Sequence, residues 1–138
     1  MKLTILLLLL SASCIAAPDC ITNGGAAVYG SSLCLELSRI EQRVIQARVP
    51  GMPEKSSMKG WTVIVHSDAW KPEDIGYVVN GLTRCSQKLI EINDKTWRES
   101  TWAHELFHAR EDCTPADHSN WVERGVFNAI AWASGTGI

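Results

Sequence analysis

The sequence lacks a strong excess of charge of either sign. Its 13 lysines and arginines are scattered among 15 aspartates and glutamates, which leaves a net charge of −2 over 138 residues. Proteins that bind phosphate backbones usually carry a basic patch or stripe. We therefore expect no nucleic-acid partner, and the length suits one domain.

Long apolar runs are also missing, except at the start of the chain. Met1 and Lys2 precede an apolar stretch that extends to Leu10 and is followed by small residues. This stretch is typical of a secretory signal peptide and is too short for a membrane-spanning helix of about 20 residues. We predict a signal peptide over residues 1–17 and an exported, water-soluble domain over residues 18–138.

The end of this leader allows a second interpretation. The residues Ser11-Ala12-Ser13-Cys14 resemble a bacterial lipobox, in which the cysteine is lipidated, although Ser11 stands where leucine is usual. Lipid on Cys14 would be the expected form of any membrane attachment. The predicted location is therefore periplasmic, secreted or lipid-anchored to the cell envelope.

Closely spaced cysteine pairs, which are typical of cysteine zinc sites, are absent. Setting Cys14 aside leaves an even number in an oxidising compartment: Cys20, Cys34, Cys85 and Cys113. Two disulfides are expected, with three connectivities open. We expect Cys20–Cys34 near the N-terminus and Cys85–Cys113 beside the candidate active site.

Hydrophobic periodicity predicts a helix, several strands and two further helices. The first helix covers residues 32–48, with Ser32 as its N-cap and a buried face of Leu33, Leu37, Ile40 and Val44. Strands are predicted at residues 61–66 and 89–92, and a hairpin at Asn80-Gly81 between residues 77–79 and 82–84. A last helix over residues 121–132 would bury Val122, Val126, Ala129 and Ile130.

The helix between these elements carries the motif on which the functional prediction depends. Thr96 and Glu99 fit a capping box at its start, and His104-Glu105-Leu106-Phe107-His108 matches H-E-x-x-H. Side chains four residues apart lie one turn apart on the same helix face, so His104 and His108 can bind one zinc ion. Glu105 can then act as general base on a water bound to the metal.

A catalytic zinc needs a third protein ligand, which the motif does not supply. The downstream candidates are Asp112, Asp117, His118 and Glu123. We favour His118, because the Thr114-Pro115 break allows the chain to turn back towards the metal. Asp117 is the alternative ligand, or a residue that orients a ligand imidazole.

His66 is a further candidate at the end of a predicted strand. A donor near the metal could stabilise an oxyanion or contact the substrate. An ordinary strand-end histidine is the alternative, and the sequence favours it.

The motif region resembles the zincin zinc metallopeptidases, and most closely small bacterial lipoprotein-type metallopeptidases. The resemblance covers mainly residues 81–132, including Gly81 to Cys85, the motif helix, Cys113 and the element Asp117-His118-Ser119-Asn120-Trp121. It implies a sheet whose edge strand binds an extended peptide above the motif helix, and it supports His118 as third ligand. The Gly-x-x-His continuation of the metzincins is absent.

The sequence therefore predicts a monomeric α+β, zincin-like domain, with a small sheet packed on the motif helix and helices flanking it at both ends. It predicts one zinc ion and hydrolysis of peptide bonds in a peptide or protein substrate. The alternative is a catalytically inactive zinc-binding or interaction module of the cell envelope. Glu105 argues against the alternative, because a structural zinc site needs no base at that position.

Overall fold

The computed structural model describes residues 16–93 and 99–135. Most of the predicted signal peptide, including Cys14, lies outside the described residues, as does Thr96, the predicted cap of the motif helix. The described residues form one α+β domain, in which a mixed five-stranded sheet is combined with three α-helices.

Along the chain, two strands are followed by a helix, three further strands and two helices. The strands are β1 (Cys20–Ile21), β2 (Ala27–Tyr29), β3 (Thr62–His66), β4 (Gly81–Arg84) and β5 (Leu89–Asn93), and the helices are α1 (Cys34–Gln46), α2 (Glu99–Arg110) and α3 (Val126–Ser134). The order across the sheet is β1-β2-β3-β5-β4. The pairs β1–β2 and β4–β5 are antiparallel, and the two central pairs are parallel. β4 therefore forms one edge of the sheet.

The core lies between one face of the sheet and the helices. Val63 and Val65 of β3 are buried and alternate with half-buried neighbours, as the predicted strand requires. Ile90 and Ile92 of β5 are fully buried on the same core. The strand predictions at residues 61–66 and 89–92 are confirmed to within one residue at each end.

The first helix is shorter than predicted. Leu37, Ile40 and Val44 are buried, but Leu33 is 42% exposed and precedes the first helical residue, Cys34. Ser32 does not cap the helix, and Leu33 occupies the N-cap position without a side-chain hydrogen bond. The first helical residue, Cys34, is joined to β1 by a disulfide.

The predicted strand at residues 82–84 is confirmed as part of β4, but the predicted hairpin turn at Asn80-Gly81 is wrong. Gly81 is the first residue of β4, residues 77–79 form no strand, and β4 pairs with β5 instead. The chain reverses through a 3-10 helix, Cys85–Gln87, followed by Lys88 in the left-handed conformation with φ 49°.

The last helix begins later than predicted. Residues 121–125 form turns, and Gly125 adopts a left-handed conformation with φ 73° at the N-cap of α3. Val126 and Ile130 are buried as expected, whereas Val122 is 77% exposed. Because Gly125 adopts a left-handed conformation, the helix begins only after it. Val122 therefore lies outside α3 and does not share its buried face.

Hydrogen bonds to α1 fix the position of α2. The Trp102 indole Nε1 donates to the Leu37 carbonyl at 3.0 Å, and the buried Arg110 guanidinium donates to the carbonyls of Val44 at 2.7 Å and Pro53 at 2.8 Å. The last carbonyls of a helix lack partners within it, so Arg110 satisfies a Val44 carbonyl that would otherwise be unpaired. The motif helix is thereby held in the core.

Candidate metal centre

His104 and His108 lie one turn apart on α2, and their side chains converge as the motif predicts. Their Nε2 atoms are 3.2 Å apart, and the ring centroids are separated by 5.0 Å. Both rings are half-buried, so the pair faces a cleft rather than open solvent.

His118 reaches this pair from the segment between α2 and α3. Its Nε2 lies 2.9 Å from that of His104 and 3.0 Å from that of His108. Within residues 16–93 and 99–135, these three histidines form the single group of histidine, cysteine or acidic side chains that could hold a metal ion.

The other third-ligand candidates lie outside this group. Asp117 is exposed, and its Oδ1 accepts a hydrogen bond from the Ser119 backbone N–H at 3.1 Å. That hydrogen bonding lowers the pKa of Asp117. Asp112 and Glu123 are also exposed and are not part of the cluster.

The spacing of the three ring nitrogens is explained better by a shared divalent metal than by hydrogen bonds among the rings. A protonated ring nitrogen has no lone pair with which to accept, so three mutual contacts of 2.9–3.2 Å cannot all be hydrogen bonds. Three ligands of a tetrahedral zinc ion at about 2.0–2.1 Å from the metal lie about 3.3–3.4 Å from each other. The observed triangle differs from this by only a few tenths of an ångström.

The surroundings keep the imidazoles of His104 and His108 neutral. Burial, followed by the charges of His108 and His118, lowers the pKa of His104 to about 4. Burial and the charge of His118 lower the pKa of His108 to about 4. Both rings therefore keep the lone pair that a metal ligand needs at neutral pH.

Glu105 lies beside the cluster with one carboxylate oxygen held in place. It is 6% exposed, and the Thr83 hydroxyl on β4 donates to its Oε2 at 2.6 Å. Burial raises the pKa of Glu105 to about 7, and the hydrogen bond from Thr83 opposes this shift. Among the described residues, no hydrogen bond occupies the other oxygen, Oε1.

A cavity of about 310 Å³ adjoins the histidine cluster. Its lining includes both His104 and Glu105, and the full set is Asn80, Gly81, Ser100, Thr101, His104, Glu105, Phe127 and Ile130. Gly81 makes room for the glutamate, because a Cβ there would lie 2.9 Å from the Glu105 Cγ and 3.1 Å from its Oε1. Thr83 and Gly81 were not identified as site residues from the sequence, where Gly81 was interpreted as a turn residue.

His66 is not part of the histidine cluster. Its Nε2 is 3.1 Å from the Glu91 Oε1, and its ring stacks on Trp70 with centroids 4.3 Å apart. Since Val65 faces the core, the neighbouring His66 projects to the opposite face of the sheet. The structure therefore does not bring His66 to the cluster.

Both predicted disulfides are confirmed. Cys20–Cys34 joins β1 to α1, and Cys85–Cys113 joins the end of β4 to the segment after α2. Disulfides are typical of an oxidising, extracellular compartment. No helix in the described part of the chain has the length and apolar character needed to cross a membrane.

Comparison of the chain with protein-family models, with curated proteins and with solved structures gives no match. We therefore infer function from the residues of the site and their geometry.

Proposed function

We propose that the chain is a zinc-dependent peptidase of the zincin type. In this proposal, His104, His108 and His118 hold one zinc ion, and Glu105 is the general base and acid for hydrolysis of a peptide bond. The observation that carries the proposal is a buried carboxylate in the same cavity as one of three convergent imidazoles.

The residues around Glu105 suit proton transfer. When bound, zinc would polarise the substrate carbonyl and lower the pKa of an attacking water. The Thr83 hydroxyl holds Oε2, which leaves Oε1 to accept a proton at the cavity and to return it to the leaving nitrogen. The glycine at position 81 keeps that oxygen accessible.

The edge strand suggests how a substrate would bind. β4 is at the edge of the sheet, and its first residue lines the cavity. An exposed edge can pair with an extended peptide through backbone hydrogen bonds. The proposed substrate is therefore an extended peptide or unfolded protein segment, cleaved in the exported compartment that the leader predicts.

Glu105→Gln tests this function directly. We expect the zinc-loaded wild type to cleave peptides in a mixture of unstructured sequences, with new amino termini detected by mass spectrometry. Glu105→Gln should keep its zinc and lose about 10²–10⁴-fold in kcat/KM, the typical contribution of a general base. Glu41→Gln makes the same change at a second buried glutamate, and it should keep full activity.

Two results would contradict the proposal. Equal cleavage by Glu105→Gln and wild type would exclude Glu105 as the base. A folded, zinc-loaded wild type that cleaves no peptide would favour the inactive zinc-binding module instead.

A further inference from the structure

The third histidine of the cluster lies on a segment without regular secondary structure. Residues 111–125 form turns between α2 and α3, and His118 itself is exposed. A metal site nevertheless needs its ligands held close to one geometry. The contacts around His118 therefore have to supply the order that a helix supplies for His104 and His108.

The Trp121 ring contacts all three histidines. Its centroid lies 4.9 Å from that of His104, 4.4 Å from that of His108 and 4.7 Å from that of His118. The indole is fully buried, and Phe127 packs against it with centroids 5.6 Å apart. The side chain of Trp121 thus packs against all three candidate ligands.

Hydrogen bonds fix this indole in place. Its Nε1 donates to the Glu111 Oε2 at 3.0 Å, and the Arg124 guanidinium donates to the other oxygen of the same buried carboxylate. Arg124 also donates to the Pro50 carbonyl at 2.7 Å. Trp121 is therefore connected to the end of α2 and to the segment that follows α1.

Trp121 also holds the backbone of His118. The Trp121 N–H donates to the His118 carbonyl at 3.1 Å, and the Trp121 carbonyl accepts the Val126 N–H at 2.9 Å. Trp121, whose ring contacts the imidazoles, therefore also links the segment of His118 to α3 through its backbone.

We propose that Trp121 is the positioning residue of the metal centre, which places His118 against His104 and His108. This inference depends on the metal-binding part of the proposed function. A tryptophan that served only the core would contribute to stability, and its replacement would leave the zinc affinity of the folded protein unchanged. Partners that orient metal ligands typically contribute about 10–100-fold in metal affinity.

Trp121→Phe tests this inference, with Trp132→Phe as the matched control. Trp132 is half exposed on α3 and has no ring contact with the histidines among the described residues. Zinc dissociation constants would be measured by competition with a chromophoric chelator, on protein shown to be folded by circular dichroism. We expect Trp121→Phe to weaken zinc binding about 10–100-fold and Trp132→Phe to leave it unchanged.

A spectroscopic measurement separates positioning from stability. Co²⁺ should quench tryptophan fluorescence mainly through the indole in contact with its ligands. We expect most of the wild-type quenching to be lost in Trp121→Phe and retained in Trp132→Phe.

Glu111→Gln decides the question if Trp121→Phe does not fold. It keeps the ring but leaves one accepting oxygen for two donors, the Trp121 Nε1 and the Arg124 guanidinium. We expect a loss of zinc affinity of about tenfold. Unchanged zinc affinity in either variant that folds would overturn the role of Trp121. A folded wild type that binds no zinc would instead overturn the proposed function, on which this inference depends.

Discussion

Glu41 and Glu105 are both buried glutamates on helices, yet their surroundings differ. Glu41, 2% exposed on α1, has both oxygens occupied: Oε2 accepts from the Thr22 hydroxyl at 2.7 Å and Oε1 from the Gly24 N–H at 2.6 Å. Glu105 has one oxygen bonded to Thr83, and it lines a cavity beside the histidines.

Burial alone therefore does not identify a reactive carboxylate. Burial raises the pKa of both Glu41 and Glu105. Glu41 uses its two oxygens to hold the turn after β1 against α1, which is a structural role. The feature that favours catalysis is the Oε1 of Glu105, which accepts no hydrogen bond from the described residues and lies next to convergent imidazoles.

Glu41 lies on a helix that one disulfide joins to β1, and Glu105 contacts a strand that the other disulfide follows. Removing the disulfides should produce the largest effects. Replacing either pair of cysteines with alanine should lower the free energy of unfolding by about 3–4 kcal/mol, given sequence separations of 14 and 28 residues. Loss of Cys85–Cys113 should also weaken zinc binding by the folded protein, because the bridge fixes the segment whose residue 113 N–H donates to the His108 carbonyl at 2.9 Å. Chemical denaturation and chelator competition measure the two effects. Equal zinc affinity in the two double variants would contradict a specific effect of Cys85–Cys113 on the metal site.

Each glutamate also has a glycine against its carboxylate, and a smaller effect is expected there. Gly81→Ala should displace Glu105 and lower kcat/KM by about tenfold to hundredfold, since small misplacements of reacting groups are costly. Gly24→Ala places a Cβ against the Glu41 carboxylate, and it should lower the free energy of unfolding by about 1–3 kcal/mol at unchanged kcat/KM. Reduced peptidase activity of folded Gly24→Ala would argue against the structural assignment of Glu41.

The smallest effect concerns pH. Because burial raises the pKa of Glu41 above 4.5, the folded state binds its proton more tightly than the unfolded state does. The contribution of Glu41 to stability is therefore present at low pH and is lost as the pH rises through the raised pKa. Denaturant titrations at several pH values should show a shallower decline for Glu41→Gln than for wild type. Parallel curves would exclude this linkage.

Local patterns were sufficient to predict the helix of the motif and the strands β3 and β5. The cysteine pairing that we expected is the observed one, but the sequence left three connectivities open. The hairpin prediction failed because Gly81 is required by the space that Glu105 occupies, not by a turn. The observed reversal ends at Lys88, a left-handed residue without the glycine or asparagine that marks such turns. Neither cause can be seen without the tertiary structure.

In the candidate site, too, some residues could be predicted from local sequence and others could not. His104, Glu105 and His108 follow from the periodicity of one helix, and His118 followed from its position after a chain break. Thr83 and Trp121 contribute through contacts across 22 and 10 residues of sequence, to Glu105 and Glu111 respectively. Contacts of this kind leave no short-range signal, so their roles could not be predicted.

The most direct test of the account is metal analysis of the purified domain by mass spectrometry after exposure to zinc and removal of excess ion. We predict one zinc ion per folded chain for wild type and for Asp117→Ala, and none bound tightly by His118→Ala. Folded wild type that remains free of metal in zinc-replete buffer, or full zinc occupancy in His118→Ala, would contradict the three-histidine site.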